Sequence, residues 1–304
     1  MKASIVVAGS SNTDMVLKTT RFPKPGETIL GGDFFMFQGG KGANQAVAAA
    51  RLGADVTFIC KLGADLFGDN AIRHYRKEGI NVHQIVQTES APTGVALITV
   101  NAEGENEIVV AQGANAMFAA SDLENAQTVL ATAGYFLTQL ETPLATLEFL
   151  SEYARMHQKK LVLNPAPAAD IPAAVYQGLF LITPNETEAE LLTGIAVNDE
   201  PTARQAADVL KARGVLNVII TMGSRGAYVS AGSLQEMIAT EKVAAIDTTA
   251  AGDVFNGALV VALSEDKSWK EAAAFACRAA AISVTKMGAQ SSAPFRNQVD
   301  TKQF

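Results

Sequence analysis

Gly134-Tyr135-Phe136-Leu137-Thr138-Gln139, then a helical stretch over 143–157, then Lys160-Leu161-Val162-Leu163-Asn164: this succession decides the fold class. Each flanking run is short, apolar and rich in β-formers, as a strand buried on both faces must be. The connection between them is longer than a hairpin needs and carries a helix, so the two strands lie parallel through a βαβ crossover. The unit repeats in both directions. A helix over 121–131 precedes it, while strand 179–182, helices 186–193 and 201–213, and strand 217–221 follow. Strands at 4–8 and 56–61, leading to helices at 43–52 and 68–78, have the same character. The expected fold is α/β, a doubly wound and mostly parallel sheet flanked by helices.

Two regions break the alternation. Phe22-Pro23-Lys24-Pro25-Gly26-Glu27-Thr28 is dense in turn formers and leads into 29–37, where aromatics and glycines replace helical periodicity. Strands at 94–100 and 106–111, joined by Asn101-Ala102-Glu103-Gly104-Glu105, read as a hairpin. Together these segments, about 12–37 and 92–112, predict a small second sheet, a candidate lid. A further hairpin falls near 227–238, followed by a buried helix at 252–264 and an alanine-rich one at 269–285.

With 48% hydrophobic and 18% charged residues over 304 positions, the chain can build a large core. A net charge of −7, with no basic run longer than Lys159-Lys160, argues against a nucleic-acid partner. Cys60 and Cys277 lack any metal-ligand spacing and read as free thiols in a reducing compartment. No stretch reaches the ~18 apolar residues of a membrane helix, and Met1 to Gly9 does not read as a signal peptide. A cytoplasmic protein with no membrane partner is expected.

Chemistry collects where the strands end. Ser10-Ser11-Asn12-Thr13-Asp14 follows the first strand, Glu141 follows 134–139, and Asn164 ends 160–164. Thr183-Pro184-Asn185-Glu186-Thr187-Glu188 and Thr221-Met222-Gly223-Ser224-Arg225-Gly226 follow the next two. One polar residue after a strand is a turn. Several on the carboxyl edge of an open α/β sheet line a ligand cleft.

Asp247-Thr248-Thr249-Ala250-Ala251-Gly252-Asp253 follows an apolar run and opens the 252–264 helix. Small residues there let backbone N–H groups approach an anion at the positive end of the helix dipole. Asp253 suits either a general base or a helix cap, and the stretch alone supports both readings. Gly39-Gly40-Lys41-Gly42-Ala43-Asn44-Gln45 is not a Walker loop, because Gly42 follows Lys41 and Met36 stands five positions before it. Its glycines offer close backbone approach, with Lys41 and Asn44 available to a polyhydroxylated or anionic ligand. A plain glycine-rich helix start is the alternative.

Over nearly its full length the sequence resembles the ribokinase-like (phosphofructokinase-B) family of sugar and nucleoside kinases. The resemblance rests on the Gly39–Gln45 and Asp247–Asp253 motifs, with Asn164-Pro165-Ala166-Pro167 and Thr183–Glu188 between them. It implies a single α/β domain over 1–304 whose β lid pairs with a second copy, giving a homodimer. It also implies transfer of the γ-phosphoryl group of ATP to the 5-hydroxyl of D-ribose. On the family's pattern Asp253 is the base, and the N–H groups of Ala250, Ala251, Gly252 and Asp253 form the anion hole. Asn12, Asp14, Gly40, Lys41, Asn44 and Glu141 match its ribose contacts. Asn12 stands where related deoxyribokinases tend to carry Met, which favours a substrate with its 2-hydroxyl.

The resemblance further matches Asn185, Thr221, Gly223, Ser224, Gly226, Gly252 and Cys277 to ATP-contacting positions. Cys277 stands where some members have His near the adenine, and Ala250 where many have Gly. Asn185 and Glu188 belong to a motif associated with Mg²⁺ held through water. Asp247, Thr249, Ser283, Lys286, Gly288 and Ser292 match a monovalent-cation site that prefers K⁺. Two other readings compete. One is a kinase for 2-deoxyribose, fructose, adenosine or another small sugar or nucleoside. The other is a silent sugar- or nucleotide-binding regulator, which would be expected to have lost the base. A dinucleotide-binding dehydrogenase lacks support, since Gly9-Ser10-Ser11-Asn12 is not a Gly-x-Gly-x-x-Gly turn.

Overall fold

The computed structural model describes residues 4–301; the ends of the expected domain, 1–3 and 302–304, lie outside the described residues. In chain order the strands are β1 (Ile5–Ala8), β2 (Asn12–Lys18), β3 (Phe34–Gly39), β4 (Val56–Ile59), β5 (Lys61–Gly63), β6 (Val86–Thr88) and β7 (Gly94–Val100). Then come β8 (Asn106–Ala111), β9 (Tyr135–Thr138), β10 (Lys160–Leu163), β11 (Leu181–Ile182), β12 (Val218–Thr221), β13 (Ala227–Ala231) and β14 (Leu234–Ile238). Eight of them form one sheet, ordered β14-β13-β12-β11-β10-β9-β1-β4. Every pairing from β4 to β12 is parallel, and the β13–β14 hairpin adds an antiparallel edge.

β1 and β4 are buried at every residue, which is why they read as unbroken apolar runs. Alternation sends their side chains to two cores. Ile5, Val7, Tyr135 and Leu137 pack with helices Lys41–Arg51, Ala251–Ser264 and Trp269–Ser283. Val6, Ala8, Phe136 and Leu161 pack with helices Leu144–Met156 and Glu200–Ala212. One core on each face is the doubly wound arrangement. The chain leaves β1 for β4 on one side and later returns to β9 on the other, so β1 marks the topological switch point.

A four-stranded sheet, β3-β2-β7-β8, grows directly from that point. Asn12, its first residue on β2, pairs with Gly39 on one side and Gly94 on the other. The β7–β8 hairpin falls on the expected residues. Elsewhere the outcome departs from expectation. Helix 121–131 is two short pieces, Ala120–Glu124 and Gln127–Thr132, and strand 179–182 shrinks to Leu181–Ile182. The stretch at 56–61 divides, β5 leaving the main sheet to pair with β6. The apolar run before Asp247 is not a strand, because its backbone is tied to a helix end: Ile246 N–H donates to Val284 O at 2.7 Å. No helix among the described residues is long and apolar enough to cross a membrane.

Candidate active site

Helix Ala251–Ser264 points its N-terminus at the carboxyl edge of the sheet. Ala250 turns into it in the left-handed region, with φ of 60°. Among the described residues, the N–H groups of Ala250, Gly252 and Asp253 have no protein acceptor, whereas that of Ala251 donates to Thr248 O at 3.2 Å. Three of the four expected anion-hole donors are therefore open. They border a cleft lined by Lys41, Asn164, Thr183, Asn185, Glu188, Thr221 and Asp253.

The Asp253 carboxylate, 5% exposed, lies in that cleft as a buried acceptor. Asn44 Nδ2 donates to one oxygen at 2.9 Å and Gln45 Nε2 to the other at 3.0 Å. The network continues outward. Gln45 Nε2 also donates to Asn164 Oδ1 (3.0 Å), and Gln45 Oε1 accepts from Gln139 Nε2 (2.5 Å). Asn44 Oδ1 accepts from Gln290 Nε2 at 3.1 Å. The two helices come close enough for this because Gly257 faces Ala48 and Gln45 O; a Cβ there would collide with both. Burial pushes the Asp253 carboxyl above the usual range, opposed by the Lys41 charge and the two amide donors. A raised carboxyl that stays hydrogen-bonded is a stronger proton acceptor than a free one. The helix-cap reading recedes, since the carboxylate bonds to amides of another helix and the cap position is Ala250.

The sugar-matching residues meet at the roots of the small sheet. Glu141 Oε2 accepts from Ser10 Oγ (2.5 Å) and from Lys41 N (3.0 Å), fixing the Gly40–Lys41 turn against the switch point. Asn12 Oδ1 accepts from Asn115 Nδ2 at 2.8 Å, and among the described residues Asn12 Nδ2, the Asp14 carboxylate and Lys41 Nζ make no hydrogen bond. Burial, then the Glu141 and Asp253 carboxylates, push Asp14 up to about 7. Burial favours a neutral Lys41, but the Asp253, Glu141 and Glu188 charges outweigh it and raise the ammonium.

At the nucleotide-matching end, Asn185 and Glu188 cap helix Glu186–Thr193 reciprocally. Asn185 N–H donates to Glu188 Oε2 (2.9 Å), and Glu188 N–H to Asn185 Oδ1 (2.8 Å). That leaves Glu188 Oε1 toward the cleft. Burial and the Asp253 charge raise this carboxyl despite the Asn185 bond and Lys41. The oxygens of Glu188 and Asn185 are the donor type a hydrated hard cation takes. Thr221 reaches the cleft, and Gly223, Ser224 and Gly226 follow it in the turn beyond β12. Cys277 does not reach it. Its thiol packs in the core, 4.0 Å from Ile238 O, and burial pushes it up to about 12.

The Asp247 carboxylate accepts from Thr249 N (2.9 Å) and Gly288 N (2.8 Å), tying the anion-hole loop to the 283–292 segment. Burial opposes ionisation, but these bonds hold the carboxyl below its usual range. The carbonyls of Asp247, Thr249, Lys286, Gly288 and Ser292 receive no protein donor among the described residues, whereas Ser283 O accepts from Lys286 N. Free carbonyls around a carboxylate suit a monovalent cation.

Gln45, Asn115, Asn256 and Gln290 were not anticipated. Thr183 Oγ1 donates to Asn256 Oδ1 at 2.6 Å, and Asn256 Nδ2 donates to Gly252 O at 2.8 Å, so Asn256 braces the anion loop. Gln45 and Asn256 carried a sequence signal: each is an amide on the buried side of an otherwise apolar helix.

The pfkB family carbohydrate kinase model matches residues 2–296. The chain is 46% identical to the ribokinase of Haemophilus influenzae, covering 98% of this chain and 97% of that one. It is 38% identical to the deoxyribokinase of Salmonella typhi, over 95% of each. Among solved structures, Arabidopsis thaliana ribokinase complexed with ribose and ATP superposes with a TM-score of 0.91 at 30% identity, covering 99% of this chain and 98% of that one. With the fold, the open helix N-terminus and the buried Asp253 in place, the chain belongs to the pfkB family of carbohydrate kinases.

Proposed function

We propose that the chain transfers the γ-phosphoryl group of ATP to the 5-hydroxyl of D-ribose, as an ATP:D-ribose 5-phosphotransferase. One juxtaposition carries the reading. Around Asp253 lie unpaired backbone N–H groups on one side, and on the other the unpartnered Asn12 Nδ2, Asp14 and Lys41 Nζ. The likeness to a relative complexed with ribose and ATP supports the same pair of ligands.

Asp253 takes the 5-hydroxyl proton as that oxygen forms its bond to the γ-phosphorus. The bond from the γ-phosphorus to the bridging oxygen breaks, and its electron pair leaves with ADP. The N–H groups of Ala250, Gly252 and Asp253 meet the charge on the transferred oxygens, and Asn44 and Gln45 keep the base aimed. Asn12, Asp14, the Gly40–Lys41 turn, Asn44 and Glu141 hold the sugar. Thr221, Gly223, Ser224 and Gly226 hold the nucleotide. Glu188, with Asn185 through water, would hold Mg²⁺, and Asp247 with the open carbonyls near it would hold K⁺. When bound, these ions offset phosphate charge and steady the anion loop.

The small sheet is assigned as a lid and as the surface through which two copies pair. Its support is a set of exposed apolar side chains spread across its strands, among them Phe34 on β3 (56% exposed) and Val109 on β8 (69%). Cytoplasmic location is supported by two free cysteines.

The test is ATP-coupled phosphorylation of ribose, 2-deoxyribose, fructose, adenosine and a no-sugar control, with Mg²⁺ in potassium and in sodium buffer. Ribose is expected to turn over best, and faster in potassium. Turnover only on another sugar or on adenosine would discard ribose while keeping Asp253. Ligand binding without turnover would indicate a silent regulator.

A further inference from the structure

We infer that Asn115, which lies outside the sugar pocket, sets substrate specificity by dictating which end of the Asn12 amide faces the sugar. The inference rests on the ribose reading above.

The polarity is fixed from the backbone outward. Ser11 N–H can only donate, and it donates to Asn115 Oδ1 at 2.9 Å. The Asn115 amide nitrogen must then face the other way, where its two hydrogens go to Ser11 O (3.0 Å) and Asn12 Oδ1 (2.8 Å). Asn12 is thereby obliged to present its oxygen to Asn115 and its Nδ2 to the pocket. Asn115 is 2% exposed and fully paired by these three bonds. A free Asn side chain could rotate and offer oxygen or nitrogen alike. This one cannot.

A second observation shows that the site is built for the pair. A Cβ on Gly94 would overlap both Asn12 Oδ1 and Asn115 Nδ2. Gly94 is the first residue of β7 and pairs with Asn12 across the small sheet, so the amide clamp sits where β2 and β7 leave the body. Asn115 itself follows β8 in a short helical turn, Gly113–Met117. The roots of β2, β7 and β8 thus meet at one side-chain pair. A fixed donor at Asn12 rewards a substrate oxygen at that place, and a sugar lacking it leaves Nδ2 unpaired.

The experiment is a double-mutant cycle with Asn12→Ala, Asn115→Ala and the double variant. It reads the ratio of kcat/KM for ribose to that for 2-deoxyribose. Asn115→Ala is expected to lower the ratio about 10-fold, mainly through KM for ribose, with turnover of 2-deoxyribose held within about 2-fold, the size of effect one lost hydrogen bond gives. In the Asn12→Ala background the same change should leave the ratio unmoved. A ratio that Asn115→Ala does not change, or changes equally with Asn12 absent, overturns the proposal. Asn115→Asp keeps the volume and the Ser11 bond but cannot donate to Asn12, so it should also lower the ratio if the polarity relay is correct. NMR relaxation of the Asn12 side-chain amide without sugar gives an independent reading: a rigidly held NH₂ group in wild type, a more mobile one in Asn115→Ala. No difference there also overturns the clamp. Wild type inactive on both pentoses would instead remove the ribose reading, with the NMR comparison still deciding the clamp.

Discussion

The two ends of the cleft are finished to different degrees. At the phosphoryl end each oxygen of the Asp253 carboxylate is held by one amide, from Asn44 and Gln45, themselves held by Gln290, Asn164 and Gln139. At the sugar end Asp14, Lys41 Nζ and Asn12 Nδ2 make no protein hydrogen bond among the described residues, and Asp14 is driven up to about 7. The contrast separates two kinds of polar residue. One end is rigid before any ligand arrives, as catalysis by positioning requires. The other stores unmet hydrogen-bonding capacity that a polyhydroxylated ligand discharges.

The comparison can be broken at each end. Asp253→Asn should lower kcat by ~10² or more with little change in KM for ribose, since general-base catalysis contributes about that much; steady-state kinetics decide it, and a variant within a few-fold of wild type removes Asp253 from the mechanism. Asp14→Asn should raise KM for ribose roughly 10- to 100-fold, the range for a bond to a charged group. It should also stabilise the empty protein at alkaline pH. The sign follows from the raised folded pKa: between the usual carboxyl value of 3.8 and about 7 the folded state binds the extra proton. Stability therefore falls as pH rises through that window. Melting curves from pH 4 to 8 should show wild type losing ground to Asp14→Asn, and parallel curves would refute the burial argument.

Gln45→Leu strips donors or acceptors from Asp253, Asn164 and Gln139 together. Each orphaned buried group costs about 1–3 kcal/mol, so the denaturation midpoint should drop clearly. In addition kcat should fall about 10-fold, and the acid limb of its pH profile should move to higher pH, because a bond that favours the ionised Asp253 is gone. An unshifted acid limb would make Gln45 structural only. The smallest effect belongs to Ala250→Gly. A left-handed Ala is strained by roughly 1 kcal/mol, and glycine's extra freedom in the unfolded chain offsets much of that. Stability within about 1 kcal/mol and kcat within 2-fold are expected; a larger drop in kcat would mean that the Ala250 methyl shapes the anion loop.

Much of this was legible in the sequence because its physics is local. Parallel strands buried on both faces must be continuous apolar runs, so β1, β9 and β10 announced themselves, and the β7–β8 hairpin was fixed by its turn residues. The anion loop was legible as small residues before an apolar helix. What could not be read depends on partners distant in sequence. The apolar run before Asp247 forms no strand, and Ile246 and Asp247 are instead tied to Val284. Gln45 and Asn115 gain their roles only from Asp253 and Ser11, which lie 208 and 104 positions away. Cys277 matched a nucleotide position by alignment of motifs alone, and the core claimed its side chain.

The Gly257 contact that lets helix Lys41–Arg51 reach Asp253 also sets a timetable. At about 5–20 residues per second of synthesis, the 208 positions between Gln45 and Asp253 take roughly 10–40 s to make. Throughout that interval the nascent protein carries the alanine-rich flank of its first helix without its cover, and the amides of Asn44 and Gln45 with no carboxylate to hold. The centre of the enzyme is therefore the last part of the molecule to come into being on the ribosome, although half of its residues are among the first to emerge.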